Sequence, residues 1–348
     1  MAGVPDLDSP GYAPARAALA GTGRTRRSVV AGGIGVTLAM LGSARPSSAL
    51  QAGAREVEDA FGPEIVPEQP RRVIAVRHHD VGNMLALGVI PVCIVPDATE
   101  FPLPEQAAML ESVANVRADA DWMLDIEKAM ALEPDLILEM SGQEGDPWNE
   151  VTCTLAKEAV TTLCFPYGYT HDDEIMQNMR NVGLALGREE EAERQIAAFA
   201  ARVAELQAMV AASGAGDKPV ATIIWQGAGN FFVPVDRSAN MILRTLGLAQ
   251  PAFQADPTAG EVQLSFENLA QLNAADTVIV MLEGAGTQEE LAASPAWLLL
   301  EPVQNERVIF LDANLWGWEY LPILMSMLDD VETKLLPVLT GDKTVPEA

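Results

Sequence analysis

The feature that constrains this chain most is a repeat. The stretch "DIEKAMALEPDLILEM" (125–140) returns about 140 residues later as "SFENLAQLNAADTVIVM" (265–281). Each reads as a short helix running into a buried strand, with a glutamate near its start (Glu127, Glu267) and a leucine five residues on (Leu132, Leu272). A second pair lies in the same order, "GNMLALGVIPV" (82–92) and "ANMILRTLGLAQPA" (239–252); in each, an Asn-Met pair opens a helix that ends at Leu-Gly. Two ordered matches point to a duplicated α/β unit, and so long a period makes two lobes rather than a solenoid. At 348 residues the chain can give each lobe a core of its own.

The strands expected from continuous apolar runs are 72–76, 91–95, 135–140 and 161–165 in the first half, then 219–225, 277–282 and 307–312 in the second. Short apolar strands alternating with helices predict parallel sheets covered on both faces. Between the two groups runs "REEEAERQIAAFAARVAELQAMVAA" (188–212), whose apolar residues Ile196, Phe199, Val203 and Leu206 recur at helical spacing. Its glutamates crowd the first turn, where the helix dipole favours them, and "SGAGDKP" (213–219) ends it. The expected plan is α/β: two Rossmann-like lobes with parallel sheets, 55–187 and 214–348, joined by one long helix over 188–213.

Residues 1–54 stand apart from this body. They hold five arginines against Asp6 and Asp8, and "TRRSVVAGGIGVTLAMLGSA" (25–44) places a twin arginine before a modestly apolar run. That run is too short and too weakly apolar for a transmembrane helix and reads as a twin-arginine export signal, with "SSA" or "AGA" as cleavage sites. No cysteine follows, so no lipid-anchor box is expected and the destination is the periplasm. The chain carries −27 overall, and without the basic leader about −30. Such charge repels phosphate backbones and argues against nucleic-acid binding. Cys93, Cys153 and Cys164 are too few for a disulfide framework. Either one bridge forms and leaves a thiol over, or all three are free.

The combination "IVPEQPRRVIAV…NMLALGVIPV", "DIEKAMALEPDLIL", the acidic helix at 188–212, "SFENLAQLNAADTVIV" and "ERVIFLD" resembles the substrate-binding proteins of bacterial ABC importers for iron–siderophore complexes. These are of the class III, helical-backbone type, which also handles vitamin B12, haem and some metals. The resemblance spans Val57 to Leu336. It implies that Glu127 and Glu267 dock onto arginines of a membrane permease dimer, that the protein works as a monomer, and that closure about a single helix is small. It also implies no catalytic residues and no intrinsic cofactor, ferric iron being carried as a siderophore complex.

Parallel α/β sheets bind ligands beyond the carboxyl ends of their strands, and two facing lobes bring those ends to one cleft. The residues at or beyond the strand ends are Arg77, His78, His79 and Asp80; Trp148; Tyr167, Tyr169 and His171; Trp225, which ends its strand; and Trp316, Trp318 and Tyr320. Trp122 lies where similar proteins line the pocket. Of six tryptophans and four tyrosines only Trp297 and Tyr12 fall elsewhere, and stiff aromatic surface suits a bulky organic chelate. Arg77 and Arg237 are the expected contacts to chelate oxygens. The strong acidity favours hydroxamate or mixed-ligand siderophores over a tris-catecholate.

Three alternatives are open. His78, His79 and His171 could ligate a bare metal ion, although adjacent strand-end residues point opposite ways. Tyr167, Tyr169 and His171 could serve haem, and cobalamin would suit the same fold. An α/β hydrolase or reductase of the periplasm is the reading from another class. It lacks a G-x-S-x-G elbow, a Walker loop, an H-E-x-x-H helix and a C-x-x-C pair.

Overall fold

All seven apolar runs form strands. The computed structural model describes residues 53–118, 123–140, 150–168, 172–229, 231–234, 238–256 and 262–342. A hairpin of β1 (Ala54–Asp59) and β2 (Gly62–Pro67) precedes the first sheet. Then come β3 (Val73–Ala75), helix α1 (His78–Ala86), β4 (Cys93–Ile94), α2 (Pro104–Leu110) and β5 (Ala114–Asn115). A two-stranded ribbon of β6 (Arg117–Ala118) and β7 (Met123–Leu124) leads into α3 (Ile126–Ala131), β8 (Leu136–Glu139) and β9 (Thr162–Cys164). This sheet has the order β5-β4-β3-β8-β9 and is parallel throughout.

Helices α4 (Asp172–Leu186) and α5 (Glu189–Ser213) follow. The second half holds β10 (Val220–Trp225), β11 (Phe231–Val233), α6 (Ser238–Thr245), β12 (Val262–Leu264), β13 (Thr277–Leu282) and β14 (Val308–Asp312). A last long helix, α7, spans Leu321–Asp330. The second sheet, ordered β12-β11-β10-β13-β14, is parallel as expected across β10, β13 and β14 and adds β11, which runs antiparallel to both neighbours. The cause is local. Gly227, Ala228 and Gly229 all take positive φ, a conformation open to glycine and costly for other residues, and this turn folds the chain straight back so that Trp225 pairs Phe231.

The duplication is visible in the pairing. β8 lies beside β3 as β13 lies beside β10, and the strand pairs begin alike, Asp135 N–H donating to Arg72 O (3.1 Å) and Asp276 N–H to Pro219 O (2.8 Å). The second helix of the repeat differs: α3 is α-helical, whereas Leu269–Ala274 is a 3₁₀ turn. α1 also departs from the expected start at the Asn-Met pair. It begins five residues earlier at His78, because the Asp80 carboxylate accepts the Arg77 N–H (2.9 Å) and satisfies a donor the helix end would otherwise leave open.

Alternation along the strands sorts the core. Val73 and Ala75, Leu136 and Leu138, Val220 and Ile224, and Ile279 and Met281 share one apolar cluster with α4, α5 and α7. The intervening residues face the other way, Ile74 and Ile137 into one outer cluster and Ala221, Ile223 and Trp225 into another. Period-two strands buried on both faces require this. α5 buries Ile196, Phe199, Val203, Leu206 and Val210 against the shared cluster, and Arg202 reaches from it to Asp329 (3.2 Å) and Glu332. Cys153 and Cys164 form a disulfide and Cys93 is a buried thiol, which decides between the two readings of the cysteines. Beside the bridge, buried Asp59 accepts from Lys157 Nζ (2.9 Å) and the Cys164 N–H (2.9 Å) and so fastens the hairpin to β9.

Candidate functional site

The carboxyl ends of β3, β4 and β8 are crowded with charge. Arg77, just past β3, puts Nε 2.5 Å from Glu139 Oε1, the fully buried last residue of β8. Arg117, just past β5, donates Nε to the Val95 carbonyl beyond β4 (3.1 Å) and pairs with Glu100 (2.8 Å). His78 turns its Nε2 to the same Glu100 (3.1 Å). A carboxylate only accepts, so that nitrogen carries the proton. His79 donates its Nε2–H to Met140 O (2.8 Å) and stacks flat on Tyr167 (centroids 3.8 Å, 8°).

The chain beyond β14 meets these groups. Trp318 lies against His78 (4.0 Å between centroids), with Phe101 on another side of the imidazole (5.4 Å). The Tyr167 hydroxyl donates to the Glu319 carbonyl (3.1 Å). Tyr320, fully buried, donates its hydroxyl to Gln106 Oε1 (3.0 Å), and Gln106 Nε2 donates to Gly82 O (3.2 Å). Its ring lies so close to α1 that a Cβ on Gly82 would sit 2.3 Å from it; only glycine admits the approach. The Leu321 N–H closes the contact on Asn83 Oδ1 (3.3 Å). The strand ends of the first lobe thus carry Trp318 and Glu319, and helices α1 and α2 carry Tyr320 and Leu321.

Burial decides the charge states. Desolvation lowers the His78 pKa despite the hydrogen bond to Glu100, and takes His79 down to about 3 against the pull of its bond to Met140, so both imidazoles are neutral at pH 7. Desolvation, then the charge of Glu139, pushes the Asp80 carboxyl well above the carboxylate range. Glu100 moves the other way: burial opposes its ionisation, but hydrogen bonds from His78 and Arg117 hold its carboxyl below its ordinary range.

A stability prediction follows for Asp80. A carboxyl with a folded pKa above its unfolded value of about 3.9 binds extra protons when folded; its contribution is complete below that pH and is lost as pH rises towards the folded pKa. Asp80→Asn mimics the protonated acid. The variant is expected to melt above the unaltered protein at pH 8, with the difference closing by pH 4. Thermal unfolding across that range checks it; a deficit of equal size at both ends would mean that Asp80 is ionised.

The other candidate residues fall into three groups. Trp225 and Trp316 are not at the cleft surface. Trp225 shares the outer face of β10 with Ile223 and donates its indole N–H to Thr287 O (3.1 Å); Trp316 is in the shared core and donates to Asp330 Oδ2 (2.9 Å). Arg77, His78, Tyr167 and Trp318 come together as described, with Arg77 bound to a carboxylate rather than left to meet a ligand alone. Trp122, Trp148, Tyr169, His171 and Arg237 lie outside the described residues. His78 and His79 face different partners, on successive helix positions rather than opposite sides of a strand. Among the described residues no three His, Cys, Asp or Glu are grouped to hold a metal ion. Glu100 and Arg117 are the members that sequence reasoning missed, since nothing in "PDATEFP" or "NVRADA" marks them as partners. A separate depression of about 570 Å³ lies at the far end of α1, among Leu85, Met109, Met179 and Met325, away from the strand ends.

Glu127 and Glu267 are both exposed. Glu127 is in the first turn of α3, capped by Asp125, which accepts the Lys128 N–H (3.1 Å). Glu267 sits in the turn before Leu269–Ala274, where Asn268 accepts the Ser265 N–H (2.7 Å). The two carboxylates therefore occupy corresponding places before β8 and β13.

Comparison with known proteins agrees with this architecture. YxeB, an iron(3+)-hydroxamate-binding protein of Bacillus subtilis, is 26% identical over 306 residues, covering 85% of this chain and 89% of its own. FecB, the Fe(3+) dicitrate-binding periplasmic protein of Escherichia coli, is 24% identical over 271 residues, covering 76% and 85%. Among solved structures, SirA of Staphylococcus aureus complexed with staphyloferrin B superposes with a TM-score of 0.65 at 22% identity, over 81% of this chain and 98% of that one, which shows a shared fold. The family model described as periplasmic binding protein matches residues 73–315. By that match, over most of its length, the chain belongs to the periplasmic binding protein family.

Proposed function

We propose that this protein is exported by the twin-arginine route, captures a ferric siderophore between its lobes and delivers it to the permease of an ABC importer. The observation that carries the reading is the meeting of the two lobes at the strand ends. His78, Phe101, Tyr167 and Trp318 gather there around ion-paired arginines. His78 and Phe101 are buried and back the half-buried rings of Tyr167 and Trp318; such rings with a few placed polar groups are what a bulky organic chelate requires, and the relatives named above bind iron chelates. Trp318 and Tyr167 supply the rings, Arg77 and Arg117 with their carboxylates the polar contacts, and Arg237, Trp122, Trp148 and Tyr169 the further candidates by sequence position. Glu127 and Glu267 provide a two-point contact to a permease of matching symmetry. Each exposed ion pair adds only about 0–1 kcal/mol, so their use is steering and register.

Binding read through Trp318 tests this. A ferric chelate is expected to quench the fluorescence of the protein from Arg55 onward, and Trp318→Phe to remove a large part of the quench. An undiminished quench in Trp318→Phe would move the ligand away from the strand ends.

A further inference from the structure

Gly82 sits in the middle of α1, where glycine is a poorer helix former than alanine. The repeat shows what the position otherwise holds: "GNM" at 82–84 is matched by "ANM" at 239–241 in the second lobe. The Tyr320 ring accounts for the exchange. It enters from the second lobe at the start of α7 and occupies the place that a Cβ on Gly82 would take. From this we infer that Tyr320 and Gly82 form an inter-lobe joint, a pair of positioning residues that fixes the width of the cleft and the spacing between Glu127 and Glu267. The consequence for ligand affinity rests on the siderophore reading; the consequence for geometry does not.

The duplicated asparagine supports the joint independently. Asn240 bonds within its own lobe, its Oδ1 accepting from Thr222 Oγ1 (2.9 Å) and Gln250 Nε2 (2.6 Å). Asn83, its counterpart, is equally buried but turns Oδ1 to the Leu321 N–H (3.3 Å), one of the donors left open at the start of α7. One copy of the repeat has thus kept its bonds at home, and the other has given them to the opposite lobe. The Tyr320 hydroxyl donates to Gln106 Oε1 (3.0 Å) and Gln106 Nε2 donates to Gly82 O (3.2 Å), which ties the ring, α1 and α2 into one circuit. Hydrogen bonds of this kind are directional, and a close-packed ring transmits a displacement rather than absorbing it. Trp318, two residues before Tyr320, lies on His78, and Glu319 receives the Tyr167 hydroxyl. A shift at the joint therefore moves the rings proposed to hold the ligand. Gln106 and Leu321 also line the depression of about 570 Å³, so a displaced joint has room to move without disrupting the core.

Spin labels on cysteines replacing Glu127 and Glu267, both exposed, read the distance between the lobes by pulsed electron resonance. Fluorescence titration of the unlabelled variants with ferrioxamine B, ferric citrate and a ferric tris-catecholate reads affinity. The unaltered protein and Tyr320→Phe, which keeps the ring, are expected to share one narrow distance distribution. Gly82→Ala should shift it and weaken the tightest chelate about 10-fold, the size of an ordinary coupling between separate sites. Tyr320→Leu should broaden the distribution, and combining it with Gly82→Ala should remove the shift, because the Cβ then has space. A purely structural role would lower the melting temperature of these variants while leaving the distance and the affinity of the folded protein unchanged; that result overturns the inference. If Gly82→Ala does not fold, Tyr320→Leu against Tyr320→Phe decides, and equal distributions overturn it. If the unaltered protein binds none of the three chelates, the siderophore reading falls, and the distance measurement still decides the joint.

Discussion

Cells in which both Glu127 and Glu267 are replaced by alanine are expected to lose iron-chelate uptake, while the purified variant keeps the affinity of the unaltered protein. The two carboxylates are exposed, sit before corresponding strands of the two sheets, and do not reach the strand-end cluster around His78 and Trp318. Their removal should therefore leave the cleft untouched and act only on productive encounter with a membrane partner. Each single replacement is expected to impair uptake partially, since one contact still steers but no longer fixes register. Uptake of radiolabelled iron beside binding by the purified variants separates the effects. Full uptake in the double variant would show that these glutamates are solvated surface residues.

The largest expected effect on stability belongs to Trp316→Ala. The indole is fully buried within the shared cluster, and its N–H satisfies Asp330 Oδ2 at 2.9 Å. Truncation leaves a cavity and deprives a carboxylate of a donor, a combination expected to cost about 3–5 kcal/mol. Lys334, 2.8 Å from the other Asp330 oxygen, limits the electrostatic part of the loss. Urea unfolding measures it. An unchanged midpoint together with lost ligand binding would return Trp316 to the cleft surface, where its position after a strand had suggested it belonged.

That case shows what was legible in the sequence. Strands in "PVATIIW" or "TVIVML" could be read because both faces are buried and every residue is apolar. Such a run, however, hides which face a terminal residue takes. Trp225 ends β10 and so looked like a loop residue, yet its register with Ala221 and Ile223 turns it into the outer core. Strand β11 was missed because the turn that makes it, Gly227 to Gly229, announces a bend but not its direction. The pairing of Glu100 with Arg117 was not legible either. The two residues belong to separate segments, a turn after β4 and the start of β6, that β4 and β5 bring together, and each taken alone resembles ordinary surface charge. The repeat, by contrast, was readable because it constrains topology twice, and β3-β8 and β10-β13 have the arrangement it implied.

Siderophore capture is tested most directly by a fluorescence titration of the protein from Arg55 onward with ferric hydroxamates, ferric catecholates, haem, cobalamin, zinc and manganese. Saturable quenching by a ferric siderophore is expected at micromolar affinity or better, about −8 kcal/mol or more favourable. Quenching by haem, cobalamin or free metal alone, or no response to any compound, would contradict siderophore capture.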